Sequence, residues 1–143
     1  MGADREECAW IFEEWHKRAR GRDVDGLLAL YADDATFESP LVPAILPDAG
    51  SGVLSGHEQI HRFLTEGTRR RPNDLVRWYR TGDYLCDGHT LFWEYPRTLP
   101  DGEQIDIAEV MEISDGLIQS HRIYWGWFGT GELIRSAMAK ATM

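Results

Sequence analysis

Glu109 and His121 are the two residues whose types and spacing are best suited to chemistry. Each lies six residues from Asp115. Asp115 and Gly116 form an Asp-Gly pair, and the segments on both sides of this pair alternate between apolar and polar residues. Such a pair is typical of a hairpin. With a three-residue loop at 114–116, a type I turn followed by a bulge, Glu109 lies directly opposite His121 on one face of the sheet. A two-residue turn would shift this pairing by one residue.

The face that carries this pair is otherwise mostly apolar. The same count places these side chains on it: Ile105, Ile107, Met111, Ile113, Ile123 and Trp125. A carboxylate beside an imidazole fixes the tautomer of the imidazole and raises its basicity, as in a general acid–base pair. We therefore treat His121 as a candidate base and Glu109 as its partner or as a neutral donor. A buried pair that only satisfies its own hydrogen bonds is the structural alternative, and the sequence leaves both open.

Three predicted helices precede most of the strands. The capping box Asp4–Glu7 predicts the start of the first helix, and Gly21 predicts its end. Asp23 predicts the cap of a short second helix that includes Tyr31. The capping box Ser55–Glu58 predicts the start of the third helix. The buried side of that helix is predicted to comprise Ile60, Phe63 and Leu64.

The rest of the chain has the pattern of an antiparallel sheet. Ala35–Ser39 predicts a short strand that Pro40 ends. Later in the chain the pattern changes to period two and predicts strands over 75–86, 89–97, 104–113 and 117–128. Helices followed by an antiparallel meander form an α+β domain. The Pro- and Gly-containing segment 40–54 predicts either a lid or an ordinary packed loop, and 131–141 predicts a short helix or a mobile tail.

Length, charge and missing motifs limit the function classes. A chain of 143 residues predicts one domain over residues 1–143. The net charge of −9 repels a phosphate backbone, so we expect no nucleic-acid partner. No apolar run reaches the length of a membrane span and the N-terminus has no signal-peptide pattern, so we expect a cytoplasmic protein without a membrane partner. Cys8 and Cys86 fit no metal spacing, and phosphate-loop and dinucleotide motifs are missing, so we expect neither a metal nor a cofactor.

Three segments carry a resemblance to a known family. They are Arg22–Phe37, Ser55–Ile60, and the stretch from Asp115–Ile118 into Arg122–Trp125. In order and residue type they resemble the nuclear transport factor 2-like superfamily, particularly its SnoaL-like polyketide cyclase branch and the related ketosteroid isomerases. The resemblance extends over roughly residues 8–128. It is specific for the fold and only weakly specific for function, because one fold carries many functions.

The resemblance implies a cone-shaped roll in which the N-terminal helices pack on a strongly curved, mostly antiparallel sheet. This roll encloses a pocket for a small hydrophobic molecule, and its outer sheet face often forms a homodimer. The implied pocket residues are Trp15, Tyr31, Phe37, Ser39, Phe63, Trp93, Met111, Ile123 and Trp125. We expect the remaining histidines to lie on exposed faces or loops; they are His16, His57, His61 and His89.

The chain departs from the catalytic patterns of this superfamily. The resemblance implies Ser39 at the position of the ketosteroid isomerase base, Trp15 at that of the oxyanion tyrosine, and Glu109 at that of the oxyanion acid. Ile123 stands near the aspartate of epoxide hydrolases, and Gly126 near the acid of SnoaL-type cyclases. Three functions therefore remain open: a cofactor-independent isomerase, cyclase or dehydratase; a ligand-binding or sensing module without turnover; and a structural dimerisation domain whose pocket is filled by tryptophans.

Overall fold

Helices and strands alternate in the first half of the chain, and strands dominate the described second half. The computed structural model describes residues 2–70, 84–95, 107–127, 129–131 and 134–135. The helices are α1 Gly2–Arg20, α2 Val24–Leu28, α3 Val42–Ile45 and α4 Gly56–Arg70. The strands are β1 Tyr31–Glu38, β2 Val53–Ser55, β3 Leu85–Cys86, β4 Thr90–Glu94, β5 Ile107–Ser114 and β6 Leu117–Trp125. Residues 127, 129–131 and 134–135 are also helical.

The turn between α1 and α2 forms as predicted. α1 ends before Gly21, whose backbone N–H donates to the oxygen of Lys17 at 3.0 Å. Asp23 caps α2, because its Oδ1 accepts a hydrogen bond from the N–H of Gly26 at 2.9 Å. None of the described helices is long and apolar enough to cross a membrane.

Two predicted helix boundaries are wrong. α1 begins at Gly2, so Asp4 lies inside the helix instead of capping it. α2 ends at Leu28, and Tyr31 begins β1 instead of continuing the helix. The physical reason is a partner that is distant in sequence: Tyr31 pairs with Ile118 of β6 in a parallel ladder. This long-range pairing overrides the local helical spacing of the leucines before it.

The segment 40–54 contains α3 and β2 and packs on the core. Val42 and Leu46 are buried within it, and β2 pairs antiparallel with β1. This packing corresponds to the ordinary loop of the two predicted alternatives. Movement of the segment as a lid stays a prediction.

The start of α4 differs from its predicted cap by one residue. The N–H of Ser55 donates to Oε1 of Gln59 at 2.9 Å, so Gln59 and not Glu58 folds back over the start of the helix. The predicted apolar side of α4 is confirmed by the buried side chains of Ile60, Phe63 and Leu64.

The six strands form one sheet in the order β2-β1-β6-β5-β4-β3. β1 and β6 are parallel, and the other neighbouring strands are antiparallel. The sheet is curved but does not close on itself. The core consists of apolar side chains from the helices and from one face of the sheet. The predicted α+β class and the mostly antiparallel sheet are thus confirmed.

Parts of several predictions lie outside the described residues. These parts are 75–83, 96–97, 104–106, 128, 132–133 and 136–141. The described parts of the four predicted C-terminal strands overlap β3, β4, β5 and β6.

The hairpin between β5 and β6 has a two-residue turn. Ser114 pairs with Leu117, and between them Asp115 and Gly116 have φ angles of +54° and +73°. Positive φ at both central residues is the geometry of a type I′ turn, which an Asp-Gly pair accommodates. The predicted three-residue loop is therefore wrong.

A bulge shifts the register of this hairpin once more. Beside Glu112 the ladder skips one residue of β6, so Met111 opposes His121 and Glu109 opposes Ile123. Turn and bulge together move the pairing by two residues from the predicted register. Because side chains alternate between the two faces of a strand, a shift of two leaves Glu109 and His121 on the same face, as predicted.

The turn geometry makes Gly116 sensitive to substitution. Gly116→Ala should destabilise the protein by about 1 kcal/mol, because an L side chain is strained at positive φ. Asp115→Asn is the control and should change stability by less than about 0.5 kcal/mol, because Asn tolerates the left-handed conformation. Urea denaturation measures both variants, and an unchanged midpoint for Gly116→Ala would contradict the two-residue turn.

Candidate functional site

The side chains of His121 and Glu109 meet on the inner face of the sheet. His121 on β6 is 0% exposed and Glu109 on β5 is 2% exposed. Nε2 of His121 lies 2.7 Å from Oε1 of Glu109. The two residues are diagonal neighbours on adjacent strands, a spacing that long side chains can bridge. The structure thus brings the two candidate catalytic residues together, although not as directly opposed residues.

Three aromatic side chains extend this pair into a larger hydrogen-bonded group. The hydroxyl of Tyr31 lies 2.7 Å from Nδ1 of His121, and the Nε1–H of Trp15 donates to the Tyr31 oxygen at 3.2 Å. At the other end, the hydroxyl of Tyr95 donates to Oε2 of Glu109. We call these five residues the buried network, since all five side chains are buried. They come from α1, β1, β5, β6 and the residue after β4.

The donors and acceptors of the buried network fix where its protons lie. An indole N–H only donates, so Tyr31 cannot give its proton to Trp15 and donates it to Nδ1 of His121. The proton of His121 then lies on Nε2 and is donated to Oε1 of Glu109. Glu109 accepts at both oxygens, as an ionised carboxylate does. The buried network therefore holds a neutral imidazole and one negative charge.

Burial keeps the hydroxyl of Tyr31 protonated. Desolvation raises the pKa of Tyr31 well above its usual value, and the charge of Glu109 raises it further. The hydrogen bond from Trp15 lowers this pKa by less than desolvation raises it, but by more than the charge of Glu109 raises it. Tyr31 therefore keeps the proton that it donates to Nδ1 of the neutral His121 ring.

The prediction that His16 is exposed is wrong, because it is 1% exposed. Its Nδ1–H donates to the oxygen of Phe12 at 2.8 Å, and its ring packs against those of Phe12 and Trp93. Burial lowers the pKa of His16, so the ring is neutral near pH 7. Its spacing of four residues from Phe12 is the sequence signal that places it on the buried side of α1.

The other three histidines lie nearer the surface. His61 and His89 expose 46% and 64% of their side chains, as expected. His57 is 34% exposed, and its Nε2 lies 2.7 Å from the backbone oxygen of Tyr31. Across the ranges that the structure describes, no three His, Cys, Asp or Glu side chains are grouped so that they could hold a metal ion.

Most of the predicted pocket residues lie in the core, either in the buried network or packed around it. These residues are Trp15, Tyr31, Phe37, Phe63, Trp93 and Met111. The ring of Phe37, for example, lies 4.9 Å from that of His121. They pack against one another and against the network, and their contact with a ligand stays a prediction.

The other predicted pocket residues, Ser39, Ile123 and Trp125, line an open groove. The groove has a volume of about 500 Å³ and lies at the ends of β1 and β6. Its walls also include Glu38, Val53 and Thr130. Because Ile123 directly opposes Glu109, the groove and the buried network adjoin at this strand pair.

Tyr95 is a member of the buried network that the sequence reasoning missed. It lies within the predicted strand 89–97, two residues after Trp93. Alternation of period two places Trp93 and Tyr95 on one face, and that alternation is the signal that identifies Tyr95. The partner of its hydroxyl depends on the β4–β5 register, which local sequence does not specify.

A family model matches most of this sequence, and so does a curated protein. The model described as SnoaL-like domain matches residues 12–121. The protein "Epoxide hydrolase LasB" of Streptomyces lasalocidi is 32% identical over 138 residues, which cover 86% of this chain and 49% of that protein. This chain thus spans about half the length of that relative.

Solved structures with similar folds agree with this match. A SnoaL-like protein of unknown function from Burkholderia thailandensis has a TM-score of 0.65 at 20% identity, covering 85% of this chain and 95% of its own. SalBIII is described as an epoxide hydrolase/cyclase-like enzyme in pyran ring formation in the polyether salinomycin. It has a TM-score of 0.57 at 20% identity, covering 87% of this chain and 94% of its own. These likenesses confirm the fold that the sequence resemblance implies.

Tyr31 makes the buried network testable by stability. Tyr31→Phe should destabilise the protein by about 1–3 kcal/mol, because the Trp15 N–H loses its acceptor and Nδ1 of His121 loses its donor. The control is Tyr124→Phe, since Tyr124 is 51% exposed and water can replace its hydrogen bond. Chemical denaturation compares the two, and equal stability of Tyr31→Phe and the unmodified protein would show that the network is not formed.

Proposed function

The chain belongs to the SnoaL-like domain family, and we propose that it is a cofactor-independent enzyme that transfers protons on a small hydrophobic molecule. The reaction is of the isomerase, cyclase or dehydratase type. The observation that carries this proposal is the buried Glu109–His121 pair, held at 2.7 Å in a dry core beside an open groove. A carboxylate so placed can take a proton from a substrate and return it at another position.

The hydrogen-bond assignment favours Glu109 over His121 as the base. Both ring nitrogens of His121 are engaged, one by Tyr31 and one by Glu109. Each oxygen of Glu109 accepts one bond in the buried network and keeps a further lone pair for a substrate proton. We therefore assign proton transfer to Glu109 and a positioning role to His121, which reverses the roles expected from sequence.

The groove supports a route by which substrate reaches Glu109. Ile123 lines the groove and directly opposes Glu109 across the β5–β6 ladder. A molecule seated in the groove would therefore contact the residue that directly opposes Glu109. The named activities of LasB and SalBIII, epoxide hydrolysis and pyran ring formation, support a hydrophobic substrate that carries oxygen.

A ligand-binding module without turnover is the second candidate function. The closed set of hydrogen bonds from Tyr31 to Tyr95 favours it, because a pair that is satisfied on both sides needs no substrate. The contact of Trp15 with Trp93, at 5.7 Å between ring centroids, is what the structural-domain alternative predicts. Trp125, however, lines the groove and does not fill the core. Its position favours the enzyme and the binding module over the structural domain.

A homodimer through the outer sheet face is part of the same proposal. Phe92 of β4 and Val110 of β5 lie side by side on that face and are only partly buried. Next to them, Arg122 forms an ion pair with Glu112 at 3.1 Å. An apolar centre with a charged rim is the composition of a typical interface between copies. Sedimentation of the purified chain would report a dimer or a monomer directly.

Replacing Glu109 with glutamine tests the catalytic assignment. In a panel of hydrophobic ketones, aromatic polyketide-like compounds and epoxides, the substrate that wild type converts should be converted at least about 100-fold more slowly by Glu109→Gln. The matched control is Glu112→Gln, on the opposite face of the same strand, which should retain the wild-type rate.

The two variants separate the candidate functions. Full turnover by Glu109→Gln would remove Glu109 from the mechanism. Saturable binding without conversion of any panel compound by wild type would support the binding module instead.

A further inference from the structure

The indole N–H of Trp125 is a buried donor for which the described part of the chain offers no acceptor. Among the described residues, Nε1 of Trp125 has no hydrogen-bond partner and is shielded from water, although its side chain lines the groove. Nε1 of Trp93 also lacks a partner, but that ring is enclosed by the rings of Phe12, Trp15 and His16. Of these two indoles, Trp125 is therefore the one whose side chain lines the groove.

The missing partner of Trp125 must be an acceptor. An indole N–H donates and never accepts, and a buried donor left without a partner destabilises the structure that contains it. Rotation of the Trp125 side chain within the groove would turn its N–H toward an oxygen of a bound molecule. A hydrocarbon in the same place would leave the donor unsatisfied.

The charge of the groove selects against anions. Glu38 contributes a carboxylate to the wall, and no Lys, Arg or His is among the described lining residues. The chain as a whole carries a net charge of −9. A carboxylate or phosphate ligand would meet like charge without a compensating cation.

From these two observations we propose that the groove binds an uncharged hydrophobic molecule whose ketone or cyclic ether oxygen accepts a hydrogen bond from Nε1 of Trp125. This inference rests on the proposed function, in which the substrate binds in the groove. It adds the chemical class of the substrate and a residue that determines specificity. In the β5–β6 ladder, Trp125 pairs with Ile107 and Glu109 pairs with Ile123. Trp125 and Glu109 are therefore diagonal neighbours on adjacent strands. The donor and the base thus lie on one face of the sheet, close enough to contact the same molecule.

Nuclear magnetic resonance of the indole protons tests the hydrogen bond without any turnover. The probes are 1-tetralone, its hydrocarbon counterpart tetralin, and tetralin-1-carboxylate, which share one bicyclic skeleton. In ¹⁵N-labelled wild type, 1-tetralone should move the Nε1–H signal of Trp125 downfield and saturate. The signal of Trp127, 87% exposed, is the internal control and should stay in place.

Two variants separate the donor from the charge. Trp125→Phe should bind 1-tetralone about threefold to tenfold more weakly, close to its affinity for tetralin, because it keeps a ring but loses the N–H. Trp127→Phe should bind like wild type. Glu38→Gln should strengthen binding of the carboxylate probe and leave binding of 1-tetralone unchanged.

The outcomes distinguish this inference from the proposed function. Binding of 1-tetralone with an unmoved Trp125 signal, stronger binding of the carboxylate than of the ketone, or no binding of the ketone up to its solubility limit would each overturn the inference. A shifted Trp125 signal together with full turnover by Glu109→Gln would keep the inference and overturn the catalytic assignment.

Discussion

Glu109 is a carboxylate buried at 2% exposure, and no lysine or arginine is buried with it in the part of the chain that the structure describes. A buried charge without a cation must be stabilised by hydrogen bonds, since its desolvation otherwise costs several kcal/mol. His121 and Tyr95 provide those bonds, Tyr31 in turn donates to His121, and Trp15 donates to Tyr31. The fold therefore depends on hydrogen-bonding this one buried carboxylate. These bonds connect α1, β1, β5, β6 and the residue after β4.

Alternation of period two was sufficient to predict the face that carries Glu109 and His121. That prediction holds although the register was wrong, because a shift of two residues preserves the face. The bulge beside Glu112 has no local sequence signal, so the register itself could not be derived. Local spacing predicts Tyr31 in a helix, whereas its position in β1 follows from pairing with a strand far along the chain.

The roles within the site depend on contacts that sequence spacing does not encode. A carboxylate and an imidazole on one face predict an acid–base pair, but only the hydroxyl of Tyr31 on Nδ1 shows that His121 has no nitrogen left for a substrate. The groove likewise follows from the ends of β1 and β6 meeting in the sheet. Proton transfer by Glu109 and ligand selection by Trp125 are thus consequences of tertiary structure.

The protonation of His121 is the central claim and can be measured directly. Long-range ¹H–¹⁵N correlation of the histidine ring in the wild-type protein distinguishes the two neutral tautomers and the charged ring. We expect a neutral ring at pH 7 with its proton on Nε2 and an unprotonated, hydrogen-bonded Nδ1. A proton on Nδ1, or a doubly protonated ring, would contradict the account, because the hydroxyl proton of Tyr31 would then have no acceptor among the described residues.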